Sequence, residues 1–346
     1  MKNNFKKAFS LIEISMVILV IGILIAGISK GIDMVYDMRL ATARALTDKA
    51  PMFGMENLEM WLETTSENSL ATGTGTSFTN VKNPLNNDRI GRWNDINPTL
   101  IDPNYKNHAV QGDINFQPLY VQDGINGLPA LLFDGVDDWF DAKNGKTNFN
   151  EFTIFIVAKP QHKQEEDVPS GGTYSNVINI SCSGSVNTCV RTSNSVSDYT
   201  FTRTSNPAGW IYFYSPSVSN KNSIQFKYSM ISFSSINNNF PGAGNTISFV
   251  NNNNGLIASV NHGSSNVVVE VSPSHRVTSS SLPFLNDPNS YLDFRIGTQK
   301  TIGVYPGYDR NYKGLIGEII LFGRSLNDQE TLLIKNYLSE KWRIKL

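Results

Sequence analysis

The first part of the chain is a long apolar run. Between Leu11 and Ile28, Glu13 and Ser15 are the clearly polar positions. A run of this length is near the lower limit for a helix that crosses a bilayer core of about 30 Å. Three lysines precede it: Lys2, Lys6 and Lys7. Because basic residues favour the cytoplasmic side, the pattern predicts a membrane span at residues 11–28 with the following chain exported.

The apolar pattern continues beyond this span at helical spacing. From Ile32 to Leu46, apolar residues recur every three or four positions, with charged residues between them. Pro51 cannot continue a helix. We therefore predict one helix over residues 9–50, about 60 Å long at a rise of 1.5 Å per residue. We expect half of it to lie in lipid and half to pack against the domain that follows.

After Pro51 the chain changes to short runs in which apolar and polar residues alternate. Five runs are typical of strands: residues 152–160, 209–216, 224–234, 266–273 and 291–298. Strands that bury one face and expose the other to water are typical of a two-sheet sandwich. The sequence therefore predicts a mainly β protein, in which an antiparallel β-sandwich follows the long N-terminal α-helix.

A second helix is predicted at the C-terminus. Within residues 325–342, Asn327 and Glu330 have the spacing of a capping box. An apolar stripe follows at helical spacing: Leu333, Tyr337, Leu338 and Trp342. The apolar strand at residues 317–322 precedes this helix, and we expect it to contact both a sheet and the helix.

Charge and cysteine content narrow the partners and the compartment. The net charge of −1 gives no sign of a nucleic-acid partner. Cys182 and Cys189 flank a Ser-Gly-Ser turn, and in an exported domain they predict a local disulfide across a hairpin. The alternative is two unrelated thiols. A metal site at these cysteines is not favoured, since no second Cys or His pair accompanies them.

A group of aspartates in "LLFDGVDDWFDA" is the densest set of carboxylates in the chain. Asp134, Asp137 and Asp138 are candidate ligands for Ca²⁺, because a hard cation requires several oxygen ligands. Asp141 belongs to the same group. The alternative is turn chemistry together with solvated charges at strand ends, and the spacing matches no EF-hand loop. No other cofactor is indicated.

The sequence shows no clear enzymatic motif. A glycosidase needs two carboxylates across the scissile bond. The Glu-x-Asp triplet at residues 165–167 lies in a Pro/Gly/Ser loop and lacks the second Glu of the usual motif. The four histidines are scattered: His108, His162, His262 and His275. No nucleophile elbow or phosphate loop stands out, so we expect that the chain is not an enzyme.

Aromatic residues are the candidates for ligand binding. Trp139, Trp210, Tyr212 and Tyr214 offer flat surfaces on which a sugar ring stacks. The alternative is that aromatic residues at period two simply fill the core. In the strand at residues 209–216, either the Trp210 side or the side with Ile211 and Phe213 is exposed.

The N-terminal run has two further interpretations. A secretory signal peptide requires small residues at its cleavage site, whereas Ile28 and Lys30 stand there. A plain signal anchor accounts for the run but not for Glu13. The segment "KKAFSLIEISMVILVIGILIAGISKG" resembles the N-terminal segments of type IV pilins and type II secretion pseudopilins, and this resemblance accounts for both features.

The pilin resemblance implies a processing and assembly pathway. A prepilin peptidase would cleave between Ala8 and Phe9, remove the leader at residues 1–8 and methylate Phe9. Glu13 would neutralise the N-terminal amine of a neighbouring subunit, the kind of partner that an intramembrane charge requires. Ala8 stands where the family usually has Gly, and the usual proline kink is absent. These departures favour a minor pilin or a pseudopilin.

The remainder, residues 55–346, resembles laminin-G-like, concanavalin A-like jelly rolls of bacterial surface proteins. Three stretches carry the resemblance: "ENLEMWLETT", "GINGLPALLFDGVDDWFDA" and "GLIGEIILFGRSLNDQETLLIKNYLSEKW". Glu63 departs from the family, which usually has Asp there.

The two resemblances together imply a bacterial inner-membrane protein. Its exported domain would lie in the periplasm or in an assembled surface filament, with other pilin-type subunits as partners. The expected role is recognition of a surface glycan or a protein. The alternatives are a membrane-tethered carbohydrate-active enzyme and a purely structural subunit.

Overall fold

The computed structural model describes residues 11–102, 105–143, 151–161, 173–184, 207–215, 223–230, 245–250, 255–263, 266–272, 275–280, 290–298 and 311–346. The predicted leader, Ala8 and Phe9 therefore lie outside the described residues.

Two helices are described, near the two ends of the chain. Helix α1 spans Leu11–Thr47 and helix α2 spans Asp328–Trp342. Helix α1 ends three residues before the predicted boundary, because the amides of Lys49 and Ala50 bond to carbonyls only three residues back. A 3-10 turn at Pro51–Gly54 follows. The predicted capping box is confirmed, with Asn327 and Glu330 each accepting from the other's backbone amide.

The described strands follow between these helices. They are β1 (Leu58–Glu63), β2 (Leu70–Thr74), β3 (Ser77–Asn80), β4 (Arg92–Trp93), β5 (Ala109–Val110), β6 (Leu119–Ile125), β7 (Leu128–Asp134), β8 (Phe140–Lys143), β9 (Phe152–Pro160), β10 (Thr173–Gly184), β11 (Pro207–Ser215), β12 (Ser223–Met230), β13 (Asn245–Val250), β14 (Leu256–His262), β15 (Asn266–Val271), β16 (His275–Ser280), β17 (Ser290–Ile296) and β18 (Lys313–Phe322). Each of the five predicted runs overlaps one of them.

The strands form two antiparallel sheets. Sheet A has the order β16-β15-β14-β9-β18-β7-β6, with β1 also paired to β18. Sheet B has the order β13-β12-β11-β10-β17-β8-β5-β4-β2-β3. The predicted fold class is confirmed: a mainly β, sandwich-like protein with a long N-terminal helix and a C-terminal helix.

The central strands of sheet A, β9 and β18, are buried on both faces. The inner face of sheet A and the inner face of sheet B share one apolar cluster, which includes Phe133, Ile154, Phe140 and Phe294. The outer face of sheet A shares a second cluster with the helices; this cluster includes Trp61, Phe155, Ile320, Ala43, Ile334 and Trp342. The described part of the molecule is thus layered as helices, sheet A and sheet B, and the outer face of sheet B lies away from the helices.

Strand β18 changes its partner halfway along one edge. Residues Lys313–Ile316 pair with β7, whereas Glu318–Phe322 pair with β1. Strand β9 runs along the other edge, with a register shift between Ile316 and Glu318. Gly317 lies at this shift, and a Cβ there would come within 2.3 Å of the Trp342 ring. The missing side chain therefore makes room for the indole of α2.

Helix α1 has an exposed segment and a packed segment. Every residue from Leu11 to Val35 is exposed. From Tyr36 onward the helix contacts the sandwich, and three of its residues are buried: Leu40, Ala43 and Thr47. The packed segment is shorter than the predicted half of the helix. One described helix, containing the predicted span, is long and apolar enough to cross a membrane, with a mean hydropathy of 2.8 and none of that window buried.

Helix α2 places its stripe slightly differently from the prediction. Tyr337, Leu338 and Trp342 are buried as expected, but Leu333 is 55% exposed. Ile334 takes its place in the core. Ile334, Leu338 and Trp342 recur every four residues and form the buried stripe, one position away from Leu333, and spacing alone does not decide between the two.

Candidate functional site

The outer face of sheet B carries a cation that contacts both a carboxylate and an indole. Strands β8 and β17 pair with Phe140 opposite Ile296 and Asp141 opposite Arg295. Phe140 and Ile296 are buried in the core. Because side chains alternate along a strand, Asp141 and Arg295 lie on the outer face. Trp139, two positions before Asp141, is half-buried beside them.

The geometry of this group, the outer-face cluster of Trp139, Asp141 and Arg295, is well defined. Arg295 Nε donates to Asp141 Oδ1 at 2.7 Å, and the guanidinium carbon lies 4.5 Å from the centroid of the Trp139 ring. Side-chain exposure is 21% for Arg295 and 29% for Asp141. The cluster therefore combines a hydrogen-bond donor and an acceptor in a rigid, partly exposed arrangement.

The cluster changes the expected role of Trp139. One face of its indole lies against the Arg295 guanidinium, so that face cannot receive a sugar ring while the contact persists. The ion pair offers hydrogen bonds to hydroxyl groups, and its opposite charges compensate one another. Asp141 is engaged here, separately from the other aspartates of its group.

Strand β11 decides between the two alternatives predicted for its faces. Ile211 and Phe213 are buried in the core. The backbone positions of Trp210, Tyr212 and Tyr214 alternate with them, and their side chains lie outside the described part of the chain.

The backbone register continues from the outer-face cluster to positions on two further strands. Arg295 is paired with Asn179 of β10, and Asn179 with Trp210 of β11. The row Asp141, Arg295, Asn179 and Trp210 thus crosses four neighbouring strands. At about 4.8 Å between strands, its ends are about 14 Å apart.

The predicted Ca²⁺ ligands are brought together at the turn between β7 and β8, which connects sheet A to sheet B. Asp134, Asp137 and Asp138 each place a carboxylate oxygen within 4.8 Å of the others. Asp134 Oδ1 accepts from the amide of Val136 at 2.7 Å, and Asp138 Oδ2 accepts from the amide of Asp134 at 2.9 Å. These turn bonds show that the alternative, turn chemistry, also operates here.

The electrostatics of this turn disfavour simultaneous ionisation of the three carboxylates. Burial of Asp138, reinforced by the charges of Asp134 and Asp137, raises the pKa of its carboxyl to about 7. Burial and the charge of Asp134 also raise the pKa of Asp137. A divalent cation would relieve this repulsion. The oxygen donors fit Ca²⁺, and the Ca²⁺ assignment stays a prediction.

The cysteine prediction is described only in part. Cys182 lies in β10 opposite Leu292 of β17. Cys189 lies outside the described residues, so the disulfide stays a prediction.

Sequence reasoning missed an ionic network on the other side of sheet A. Glu63 and Glu318 are register partners, and Lys341 of α2 lies between them. Lys341 Nζ is 3.1 Å from Glu63 Oε2 and 2.9 Å from Glu318 Oε2, and all three side chains have no exposure. The sequence did contain a signal for this network, because two charged residues stand at positions where the apolar pattern predicts burial. Lys341 lies in the stripe of α2, and Glu318 lies inside an apolar strand.

Comparisons with known proteins show likeness at the level of fold. No protein-family model matches the chain, and no curated protein matches it in sequence. A Trypanosoma rangeli sialidase in complex with 2,3-difluorosialic acid matches with a TM-score of 0.42 and 11% identity, over 91% of this chain and 39% of that chain. A GH54 α-L-arabinofuranosidase matches with a TM-score of 0.45 and 10% identity, over 82% of this chain and 63% of that one.

A third match is a carbohydrate-binding module. The Ruminococcus gnavus IT-sialidase CBM40, bound to α2,3-sialyllactose, has a TM-score of 0.32 and 11% identity, over 55% of this chain and 83% of that one. The structural neighbours are thus β-sandwich proteins that bind or hydrolyse carbohydrates.

These neighbours correct one prediction. The expectation that the chain is not an enzyme is wrong as an inference from the missing motifs, because its structural neighbours include glycoside hydrolases. It rested on the lack of a local carboxylate motif, whereas a fold joins carboxylates that are distant in sequence, as Glu63 and Glu318 show. At this level of similarity the likeness assigns no activity to this chain.

Proposed function

We propose that the chain is a prepilin-type subunit, a minor pilin or a pseudopilin, whose sandwich is presented outside the cytoplasm for recognition of a surface glycan. The single observation that supports this most strongly is the division of α1. Its first part, residues 11–35, is mostly apolar and exposed at every position, whereas residues 36–47 pack against the sandwich.

An exposed apolar helix of this length needs a cover, and the described part of the chain does not supply one. Lipid supplies it in the membrane, and the helices of other subunits supply it in a filament. Glu13 lies in the first described turn of α1, inside the apolar run. A carboxylate at that depth calls for a cationic partner, and the N-terminal amine of a processed neighbouring subunit has that chemistry.

This proposal includes the processing pathway implied by the sequence. A prepilin peptidase cleaves between Ala8 and Phe9 and methylates Phe9, and the subunit waits in the bacterial inner membrane with its sandwich in the periplasm. Other pilin-type subunits are its partners on assembly into a type IV pilus or a type II secretion pseudopilus.

The recognition surface in this proposal is the outer face of sheet B. It lies away from the helices that face the membrane and the filament. The outer-face cluster offers a donor and an acceptor there, and compensated charges favour hydroxyl-rich, neutral saccharides over strongly anionic ones.

The membrane-extracted protein tests the pathway by mass spectrometry. We expect a mature chain beginning at a methylated Phe9, and an intact Met1 would contradict the proposal. In a filament-assembly assay we expect Glu13→Ala to abolish incorporation while the sandwich stays folded. Ser15→Ala serves as its control, because it removes a nearby polar group of the apolar run without loss of charge. It should assemble normally.

A glycan array with the full chain in detergent micelles tests the recognition surface. We expect saccharide binding that is lost in Arg295→Ala and retained in Arg276→Ala, an exposed arginine on the edge strand of sheet A. Binding that both variants retain would move recognition away from the outer face of sheet B.

A further inference from the structure

The buried ionic network lies where sheet A is divided. Glu63 ends β1, and Glu318 follows the register shift at which β18 changes its partner from β7 to β1. Thr64 donates across this junction to the carbonyl of Pro129 at 2.5 Å. The side chains of Lys341 and Trp342 of α2 pack into this junction from the helical layer. The end of α2 therefore fills the division in the sheet.

The hydrogen bonds of the network form a closed set. Glu318 Oε1 accepts from Trp61 Nε1 at 2.7 Å and from the Tyr337 hydroxyl at 2.9 Å, and Oε2 accepts from Trp342 Nε1 at 2.7 Å. Lys341 Nζ donates to the Tyr337 oxygen at 3.1 Å in addition to the two carboxylates. All three ammonium protons thus have an acceptor.

Glu63 is held by its own local donors. Its oxygens accept from the amide of Thr65 and the amide of Ser66, each at 2.6 Å, and from the Thr65 hydroxyl. Burial by itself would raise the pKa of Glu63, but the Lys341 charge and these donors hold it below its usual value. Burial opposes the charge of Lys341, and the two carboxylates raise its pKa above the ordinary range.

The charge count gives Lys341 a particular role. Two carboxylates and one ammonium leave a formal charge of −1 in a site without solvent contact. Without Lys341 two adjacent buried carboxylates would face each other across the register, with a formal charge of −2. Such a pair is strongly unfavourable in a low-dielectric interior. The lysine therefore balances a repulsion that belongs to sheet A itself.

The network also reaches helix α1. The Tyr337 hydroxyl lies 3.4 Å from the Thr47 hydroxyl at the end of α1. Ala43, one turn earlier, belongs to the apolar cluster that contains Tyr337 and Trp342. The Thr47 hydroxyl also donates to the Ala43 carbonyl at 3.1 Å, so the end of α1 is joined to the Lys341 network by one long hydroxyl contact together with apolar packing.

We infer that Lys341 is a charge latch that holds α2 and, through Tyr337 and Thr47, the end of α1 against the sandwich. The two carboxylates of sheet A set the direction of the effect: with Lys341 inserted the helical layer is docked, and without it their repulsion weakens the docking. The latch fixes the orientation of the sandwich relative to its anchor helix.

Limited trypsin digestion of the full chain in detergent micelles tests this device. The exposed Lys49 lies in the connection between α1 and the sandwich, and mass spectrometry follows the cut after it. We expect Lys341→Met to accelerate that cut at least about tenfold. Lys335→Met is the matched control, because Lys335 lies on the same helix but contacts the partly exposed Glu270. It should leave the rate near that of the wild type.

A double variant separates charge from packing. Glu63→Gln combined with Lys341→Met restores the formal charge of −1 and leaves Glu318 with its two indole donors and Tyr337. We expect the double variant to be cleaved more slowly than Lys341→Met alone. If loss of packing were the cause, the double variant would be cleaved faster. Equal rates for Lys341→Met and Lys335→Met would overturn the latch, and so would a double variant cut faster than the single one.

Tyr337→Phe tests the connection to α1 and stays informative if Lys341→Met fails to fold. It retains all three charges and removes the hydroxyl shared with Thr47. We expect the cut after Lys49 to accelerate a few-fold while the melting temperature changes by only a few degrees. An unchanged rate would show that the network does not hold α1.

Discussion

The two outer faces of the sandwich carry the same chemical groups in opposite surroundings. On sheet A, Glu318, Lys341 and Trp342 meet with no exposed side-chain surface. On sheet B, Asp141, Arg295 and Trp139 meet while partly exposed. A carboxylate, a cation and an indole are therefore not a functional signature by themselves. Their burial decides whether they hold the fold together or remain accessible to a ligand.

The energetic consequence follows from solvation. A buried charge left without its partner costs about 3–5 kcal/mol, whereas an exposed ion pair contributes about 0–1 kcal/mol. Substitutions on the sheet A side should therefore act on stability, and those on the sheet B side on binding.

The largest expected effect is that of Glu318→Ala. It leaves Lys341 with one carboxylate and removes the acceptor of Trp61 Nε1, Trp342 Nε1 and the Tyr337 hydroxyl. We expect the free energy of unfolding to fall by about 3–5 kcal/mol, measured by urea denaturation. Asp141→Ala is the counterpart on sheet B and should cost less than about 1 kcal/mol. Equal losses would remove the distinction between the two faces.

The second largest effect on stability should be a pH dependence caused by Asp138, in the turn that joins the two sheets. Its folded pKa of about 7 exceeds the ordinary value, so the folded state holds this proton more tightly. The resulting stabilisation is fully present below about pH 4 and is lost as the pH rises through 7. We expect stability to fall by up to about 4 kcal/mol over this interval, since a pKa unit corresponds to about 1.4 kcal/mol.

Asp138→Asn and added Ca²⁺ provide the controls for this pH dependence. The variant should flatten the decline in unfolding free energy between pH 5 and pH 8. If Ca²⁺ binds the ionised carboxylates, it should raise stability at pH 8 in the wild type and not in the variant. A wild-type decline that persists unchanged in Asp138→Asn would assign the titration to another group.

Gly317→Ala should have an intermediate effect confined to the helical layer. A Cβ at this position would lie 2.3 Å from the Trp342 ring, so the indole or the strand has to shift. We expect a loss of about 1–3 kcal/mol by urea denaturation. Gly54→Ala, where a Cβ meets nothing within 4 Å, should change stability little. A small effect of Gly317→Ala would show that the Trp342 contact is loose.

The smallest effect on stability should come from Arg295→Ala. Both members of its ion pair are partly exposed, so the free energy of unfolding should change by about 0–1 kcal/mol. Trp139 fluorescence should change, because the guanidinium no longer lies on the ring. A loss comparable to that of Glu318→Ala would mean that the outer face of sheet B is structural after all.

Local pattern was sufficient for both described helices and for six of the described strands, whereas most of the other described strands were not predicted. The apolar run led to a helix of membrane-crossing length, period-two runs led to strands, and the Asn327–Glu330 pair led to the start of α2. These features depend on neighbours within a few residues. The end of α1 was missed by three residues, because the final hydrogen bonds narrow to 3-10 spacing before Pro51.

The candidate sites also divide into those formed by residues close in sequence, which were predictable, and those formed by distant residues, which were not. The three aspartates of the turn are close in sequence, and the prediction that they converge needed only a turn. Arg295 could not be connected to Trp139 from sequence, because β8 and β17 are distant along the chain and meet only through sheet register. The exposure of a strand face depends on which side the helices cover, which alternation alone leaves open.

The sequence by itself determined the elements of this protein: an apolar N-terminal helix with a carboxylate near its start, many alternating strands and a capped final helix. These follow from local hydrophobic periodicity and backbone chemistry. Only the tertiary structure decided which charges are sealed and which remain accessible. Glu63, Glu318 and Lys341 come from three separate elements, and the register of β18 together with the docking of α2 removes all of them from water.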